Sequence, residues 1–424
     1  MTSSRPISST RHARARTLAS FLLVAAVAPS GTVSAAEPGI SDGVVKIGLL
    51  TDMTGYYSDV VGPGAVLATK MAIEDFGGKV LGKPIQFVYA DHQVKADVAS
   101  TTARKWFDTE GVDMIVDVNS SSAALAVMPL AAEKKKIVFL ASPGTTSITG
   151  QLCNPYTIHY VYNNWALANG TGREVVRDGG DSWYFITADY AFGKSLEQDV
   201  GEVVKQAGGK VLGSVRHPSP GTTDFSSYVL QAQSSGAKIV GLANAAGDTV
   251  NSIKAANEYG LTAKQKLAGL LIFLPDIHSI GLSLAKNKYL TTAFYWDMDE
   301  ETRAFAKRFY DHPDNKKKAM PNMTQAGMYS ATIHYLQAVQ AAGTDDSDAV
   351  MKKMREMPVN DFFAHNGRIG PDNLHRHDMY LAQVKAPEES KYPWDYYRII
   401  KKIPASEAFP SVEHQQCKFA IGSR

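Results

Sequence analysis

Val116-Asp117-Val118-Asn119-Ser120-Ser121-Ser122-Ala123 ends an apolar strand pattern in a run of hydroxyls, and Phe139-Leu140-Ala141-Ser142-Pro143-Gly144-Thr145-Thr146 repeats the device. A strand that closes in a short polar turn and passes into a helix is the building step of an open parallel α/β sheet. In such sheets the loops at the carboxyl ends of the strands meet in one crevice. Each turn offers hydroxyls and backbone N–H groups where a helix begins, which suits an anion. Neither turn carries a His, Cys or carboxylate beside its hydroxyls to activate a nucleophile. The pair therefore reads as a grip for a carboxylate; simple helix capping by Ser and Thr is the competing reading.

Working outward, the same alternation runs along the chain. Strand patterns fall at 44–50, 85–90, 114–118 and 137–141, separated by helical patterns at 65–76, 97–110 and 122–135. A second series follows, with helices at 165–179, 192–207, 223–234 and 249–259 and strands at 183–187, 211–215, 239–243, 267–274 and 290–296. Residues 343–348 and the tail after Lys385 read as loops. Two α/β units of similar size result, with no low-complexity linker between them.

The amino terminus reads as a leader. Arg5, Arg11, Arg14 and Arg16 precede an apolar run at 18–28 that is too short to span a bilayer. Pro29-Ser30-Gly31 breaks it, and Val33-Ser34-Ala35-Ala36 offers a cleavage site after Ala35 or Ala36. Residues 1–36 are expected to be a secretory signal peptide, which points to a Gram-negative periplasm. No Cys follows the run to carry a lipid, and no later stretch reaches 18 apolar residues. The whole chain has 44 basic and 42 acidic residues, and loss of the four leader arginines brings the balance to −2. The only basic runs, Lys134-Lys135-Lys136 and Lys316-Lys317-Lys318, lack interleaved aromatics and read as solvated ends, so no nucleic-acid partner is expected. About 388 mature residues exceed one core, so two lobes are expected.

Cys153 and Cys417 are the only cysteines, and in an oxidising compartment they are expected to pair, two buried thiols being the alternative. They cannot supply a metal site by themselves. Gly62-Pro63-Gly64 lacks the third glycine of a dinucleotide fingerprint and reads as a helix lead-in. His375-Arg376-His377-Asp378 reads as a surface turn in preference to a metal site. No catalytic residue, cofactor or metal is expected. Aromatics gather in strand-end loops, at Tyr56-Tyr57, at Tyr190 and Phe192, and at Tyr295-Trp296. Brought to one crevice they would build an apolar, stacking-capable pocket; singly they would shield core edges.

The chain resembles the periplasmic branched-chain-amino-acid-type solute-binding proteins of ABC transporters, and within them the aromatic-acid-binding branch. The resemblance rests on Ile47-Gly48-Leu49-Leu50-Thr51-Asp52-Met53-Thr54-Gly55, Ala72-Ile73-Glu74-Asp75-Phe76-Gly77-Gly78, Gly82-Lys83-Pro84-Ile85, the Ser120–Ser122 turn, Ser142-Pro143, and Ile253-Lys254-Ala255-Ala256 with Tyr259-Gly260-Leu261. It implies a type I periplasmic binding protein fold: two doubly wound parallel-sheet lobes, joined by three crossovers, that close on a ligand and dock on an inner-membrane permease. The lobes would comprise 42–161 plus 293–365 and 162–292 plus 366–424, and a monomer is expected.

Carried over by position, Ser120 would hold a ligand carboxylate, Gly144 and Thr146 would add donors, Tyr57 would pack on the ligand, and Phe192 would stand where the family often has Tyr. The full expected set is Tyr57, Ser120, Ser121, Ser122, Ser142, Gly144, Thr145, Thr146, Tyr190, Phe192, Asp248 and Trp296. One departure bears on the ligand. Where amino-acid binders place an acid for the ammonium, this chain has Leu271, and a Tyr is replaced by Ala245. Asp248 or Asp276 could substitute. A buried ammonium without a partner costs several kcal/mol, so the expected solute is a carboxylate without an α-ammonium, such as a benzoate or phenylpropenoate. A branched-chain or other amino acid is the alternative. A serine hydrolase using Ser120–Ser122, or a sensory lobe docking a signalling partner, is a more distant reading.

Overall fold

A computed structural model describes residues 39–421. The expected leader lies outside them. Along the chain run β1 (Val45–Thr51), α1 (Gly62–Asp75), β2 (Lys79–Val80), β3 (Lys83–Asp91), α2 (Ala96–Lys105), β4 (Met114–Val118), α3 (Ser121–Lys134), β5 (Ile137–Leu140) and β6 (Thr157–His159). These strands form a six-stranded sheet in the order β2-β3-β1-β4-β5-β6, parallel except for the β2–β3 hairpin. β1 and β4 have strand neighbours on both sides and are buried almost throughout, which is why they are mostly apolar without alternation, Lys46 and Asp117 being the charged exceptions. Gly48 is required at its place in β1: a Cβ there would sit 2.6 Å from the buried ring of Trp106.

A second series follows: α4 (Asn164–Leu167), α5 (Arg173–Arg177), β7 (Ser182–Ala188), α6 (Ala191–Gln206), β8 (Lys210–His217), α7 (Ser226–Ser234), β9 (Ile239–Ala243), α8 (Ala246–Glu258) and β10 (Lys266–Gly269). Its sheet is parallel, in the order β10-β9-β7-β8. The remaining elements are α9 (Leu274–Ile280), α10 (Leu282–Ala285), β11 (Tyr289–Thr292), α11 (Glu300–Asp311), α12 (Met323–Ala342), α13 (Ser347–Glu356), β12 (Arg368–Ile369), β13 (His375–Arg376), β14 (Met379–Val384) and β15 (Tyr397–Ile403). α12 returns to pack on α1. Its start is fixed by Asn322, whose Oδ1 accepts from Thr324 N at 2.9 Å while its Nδ2 donates to Val60 O at 2.8 Å. β11, β14 and β15 make a third, antiparallel sheet.

Five expectations are corrected. The apolar run at 267–274 is strand only to Gly269; Pro275 supplies no N–H, and Asp276 accepts from Phe273 N at 2.8 Å to start α9. The strand expected at 290–296 stops at Thr292, whose Oγ1 turns back to donate to Phe294 O at 2.8 Å. Ser347 and Asp348 already belong to α13, capped by Asp346 on Ala349 N at 3.0 Å, and the tail after Lys385 contains β15. His375 and His377 are not on a surface turn: they are 0% and 2% exposed and pack together beside Tyr160 and Phe363. Burial pulls both imidazoles below the usual histidine range.

Cys153 and Cys417 are joined by a disulfide across 264 positions. Among the described residues no helix is long and apolar enough to cross a membrane.

Candidate functional site

The carboxyl ends of β1, β4 and β5 hold the first half of the site. Asn119 Oδ1 accepts from Asp52 N at 2.7 Å, which ties the end of β4 to the end of β1. Asp52 then shapes the following loop, accepting from Gly55 N at 2.9 Å and Tyr57 N at 2.7 Å. That loop is what presents Tyr56 and Tyr57. Ser120, next along, has φ +80° and ψ 123°, a conformation that disfavours any side chain. It precedes α3 but makes no side-chain capping bond, so its hydroxyl is not consumed by the helix.

The second turn is held from behind by Asp117. Its Oδ1 accepts from Ala141 N at 2.9 Å and Ser142 N at 3.1 Å, and its Oδ2 accepts from Ser142 Oγ at 2.6 Å. Burial pushes this carboxyl up to about 6, against the pull of those donors. Ser142 thus spends both its N–H and its hydroxyl proton internally, and its carbonyl accepts from Tyr162 at 2.5 Å. Gly144 is a necessity of close approach: a Cβ would lie 2.4 Å from Asn164 Oδ1 and 2.9 Å from the Phe192 ring.

The four-stranded sheet brings the other half. Tyr190 and Phe192 follow β7, Ala245 precedes α8, and Leu271 and Phe273 follow β10. Two tyrosines join the halves. Tyr57 Oη and Tyr190 Oη lie 2.7 Å apart. Tyr56 Oη donates to Ala245 O at 3.0 Å and accepts from the Asp248 N–H. Burial holds the three phenols well above the usual tyrosine range, so all stay protonated donors.

Between them lies a small cavity of about 30 Å³. Tyr57, Val60, Val61, Asn119, Ser120, Ser121, Ser142, Pro143, Gly144, Tyr162, Tyr190, Phe192, Ala245, Leu271 and Phe273 line it. No acidic or basic side chain is among them. Seven expected residues meet here: Tyr57, Ser120, Ser121, Ser142, Gly144, Tyr190 and Phe192.

The other five do not line it. Ser122 sits one residue further into α3. Thr145 faces away, its N–H on Ser121 Oγ at 3.4 Å. Thr146 bonds Ser195 and Asp199. Asp248 accepts from Ser219 Oγ at 2.7 Å, and burial raises its carboxyl. Trp296 donates Nε1 to Trp394 O at 2.9 Å in a separate aromatic cluster. Asp276, the other acid considered, is occupied in capping α9, and burial pushes it up to about 7. Sequence reasoning passed over Asn119 and Tyr162 as ligand-facing residues. Asn119 opens the turn whose serines were singled out, whereas Tyr162 follows β6, a three-residue strand with no apolar run to signal it. Among the described residues no three His, Cys, Asp or Glu side chains come together as a metal site.

Residues 44–391 match the family model described as periplasmic binding protein. A periplasmic binding protein from Burkholderia mallei is 51% identical over 89% of this chain and all of its own, with a TM-score of 0.87. A branched chain amino acid ABC transporter periplasmic ligand-binding protein from Burkholderia xenovorans LB400 is 39% identical over 89% of this chain and all of its own, at 0.79. A solute binding protein of an ABC transporter from Rhodopseudomonas palustris HaA2, in complex with p-hydroxybenzoic acid, shares the fold at 23% identity over 85% of this chain and 97% of its own, at 0.76.

Proposed function

The chain belongs to the periplasmic binding protein family, and from that premise we propose that it captures a small carboxylate lacking an α-ammonium, a single-ring aromatic acid, for an ABC importer. The observation that carries the reading is the cavity wall. It offers hydroxyls and helix-start N–H groups to an anion and nothing to a cation. The α-ammonium of an amino acid would meet Leu271, Phe273 and Ala245 and lose its hydration for no partner. The rings of Tyr57, Tyr162, Tyr190 and Phe192 suit a flat apolar solute. The same scaffold holds p-hydroxybenzoic acid in the Rhodopseudomonas palustris protein.

In this reading Ser120 and the first N–H groups of α3 take the carboxylate, and Tyr57 and Tyr190 close over the ring. The lobes, 42–161 plus 293–365 and 162–292 plus 366–424, clamp on the solute and so create the face a permease reads. Residues 1–36 carry the chain to the periplasm and are removed. The name of the Burkholderia xenovorans structure favours a second reading, a branched-chain amino acid.

Calorimetric titration of the mature protein with benzoate, 4-hydroxybenzoate, cinnamate and leucine decides between them. Tight binding of an aromatic acid with none of leucine is expected; tight leucine binding with no aromatic acid overturns the proposal.

A further inference from the structure

Thr146 follows β5 of the six-stranded sheet, yet its partners belong to α6 beside the four-stranded one. Its Oγ1 donates to Asp199 Oδ2 at 3.1 Å and lies 3.2 Å from Ser195 Oγ, and its N–H reaches Ser195 Oγ at 3.3 Å. Ser195 Oγ also donates to Asp199 Oδ2 at 3.3 Å. Among the described residues no cation pairs with this carboxyl, which is 7% exposed. The cluster lines a separate polar cavity, away from the one described above, that is also walled by Trp165 and by His414 and Gln415 of the disulfide-tethered tail.

We propose that Thr146, Ser195 and Asp199 form a latch across the two halves, distinct from the solute cavity, that favours closure when Asp199 is protonated. This rests on the clamp motion of the proposed function but not on which solute is bound. Only Thr146 reaches Asp199 from the opposite half, so opening removes that bond and lets water reach the carboxyl. With Thr146 bonded to it, burial pushes the carboxyl up to about 7 against the pull of the Thr146 and Ser195 hydroxyls; once hydrated it returns toward about 3.9. The closed state therefore binds the proton more tightly, and closure strengthens as pH falls through the window between these values. The charged groups opening onto the same cavity are Lys194 and Glu202 of α6 and His414 of the tail; α3 and α4 present only Leu125 and Trp165 there. Lys194 is paired with Asp189 at 2.9 Å.

Small-angle scattering of the ligand-free mature protein tests the latch without any solute. Between pH 8 and pH 6 the closed-to-open ratio is expected to rise about tenfold, read as a fall in radius of gyration. Asp199→Asn is expected to stay compact at both values, and Thr146→Val to be more open than wild type at both. Should the Asn variant not fold, Thr146→Val carries the test. His414→Gln is expected to keep the wild-type response. A wild-type radius that does not change with pH overturns the latch. So does an Asn variant that tracks wild type, a Val variant no more open than wild type, or loss of the response in the His414 variant.

Discussion

Replacing Ser120 by Gly and by Ala separates backbone strain from ligand contact. At φ +80° a Cβ costs roughly 1–3 kcal/mol that glycine does not pay. Glycine gives back about 0.5–1 kcal/mol through the greater freedom of its unfolded chain. Ser120→Gly should therefore be about 0.5–2 kcal/mol more stable than Ser120→Ala, against the usual order of these residues. The hydroxyl lost in both has no capping partner in the protein, so its work is expected to be done on the solute. A hydrogen bond to a charged group contributes about 1.5–3 kcal/mol, so both variants should bind 4-hydroxybenzoate about ten- to a hundredfold more weakly. Urea denaturation measures the first quantity and calorimetry the second. The reasoning is refuted if the Gly variant is no more stable than the Ala variant, or if both bind as wild type does.

Gly144→Ala puts a methyl 2.4 Å from Asn164 Oδ1 and 2.9 Å from Phe192, so it should prop the cavity open and weaken binding at least tenfold in calorimetry. Replacing both Cys153 and Cys417 by Ser should cost about 2–5 kcal/mol in urea unfolding, and reductant should shift the wild-type curve toward the variant's while leaving the variant's unchanged. Burial pushes the folded Asp276 carboxyl up to about 7, against about 3.9 in the unfolded chain, so the folded state binds its proton more tightly and stability falls as pH rises between these values. Asp276→Asn keeps an acceptor for Phe273 N–H and should flatten that part of the stability profile measured from pH 5 to pH 8.

Much of the architecture was legible because buried parallel strands leave an unmistakable trace. Ile239–Ala243 is a five-residue apolar run between turn signals and Met114–Val118 is one broken only by Asp117, and the sheets begin and end them at those residues. The run at 267–274 misled because apolarity reports burial, not conformation; Pro275 and Asp276 were the signal that the chain turns there into a helix. The same limit applies in the site. Both hydroxyl turns could be located, but which hydroxyls are free could not. Ser142 is silenced by Asp117 from the neighbouring strand, and Thr146 is drawn across to α6; both are pairings between segments whose spacing in the chain carries no period. Trp296 failed for a related reason. Its partner Trp394 lies on a distant stretch that read as loop.

The wall without charges has a bearing on where such a receptor can work. Dissolved salt weakens attraction between ions over distances of about 10 Å at 0.1 M, but it acts far less on dipoles buried against a bound molecule. A solute held by neutral donors, with no lysine or arginine at the cavity, should be captured with nearly the same strength in dilute and in briny surroundings. In the proposed clamp, the uncharged lining leaves no ion pair with the solute to be broken on release.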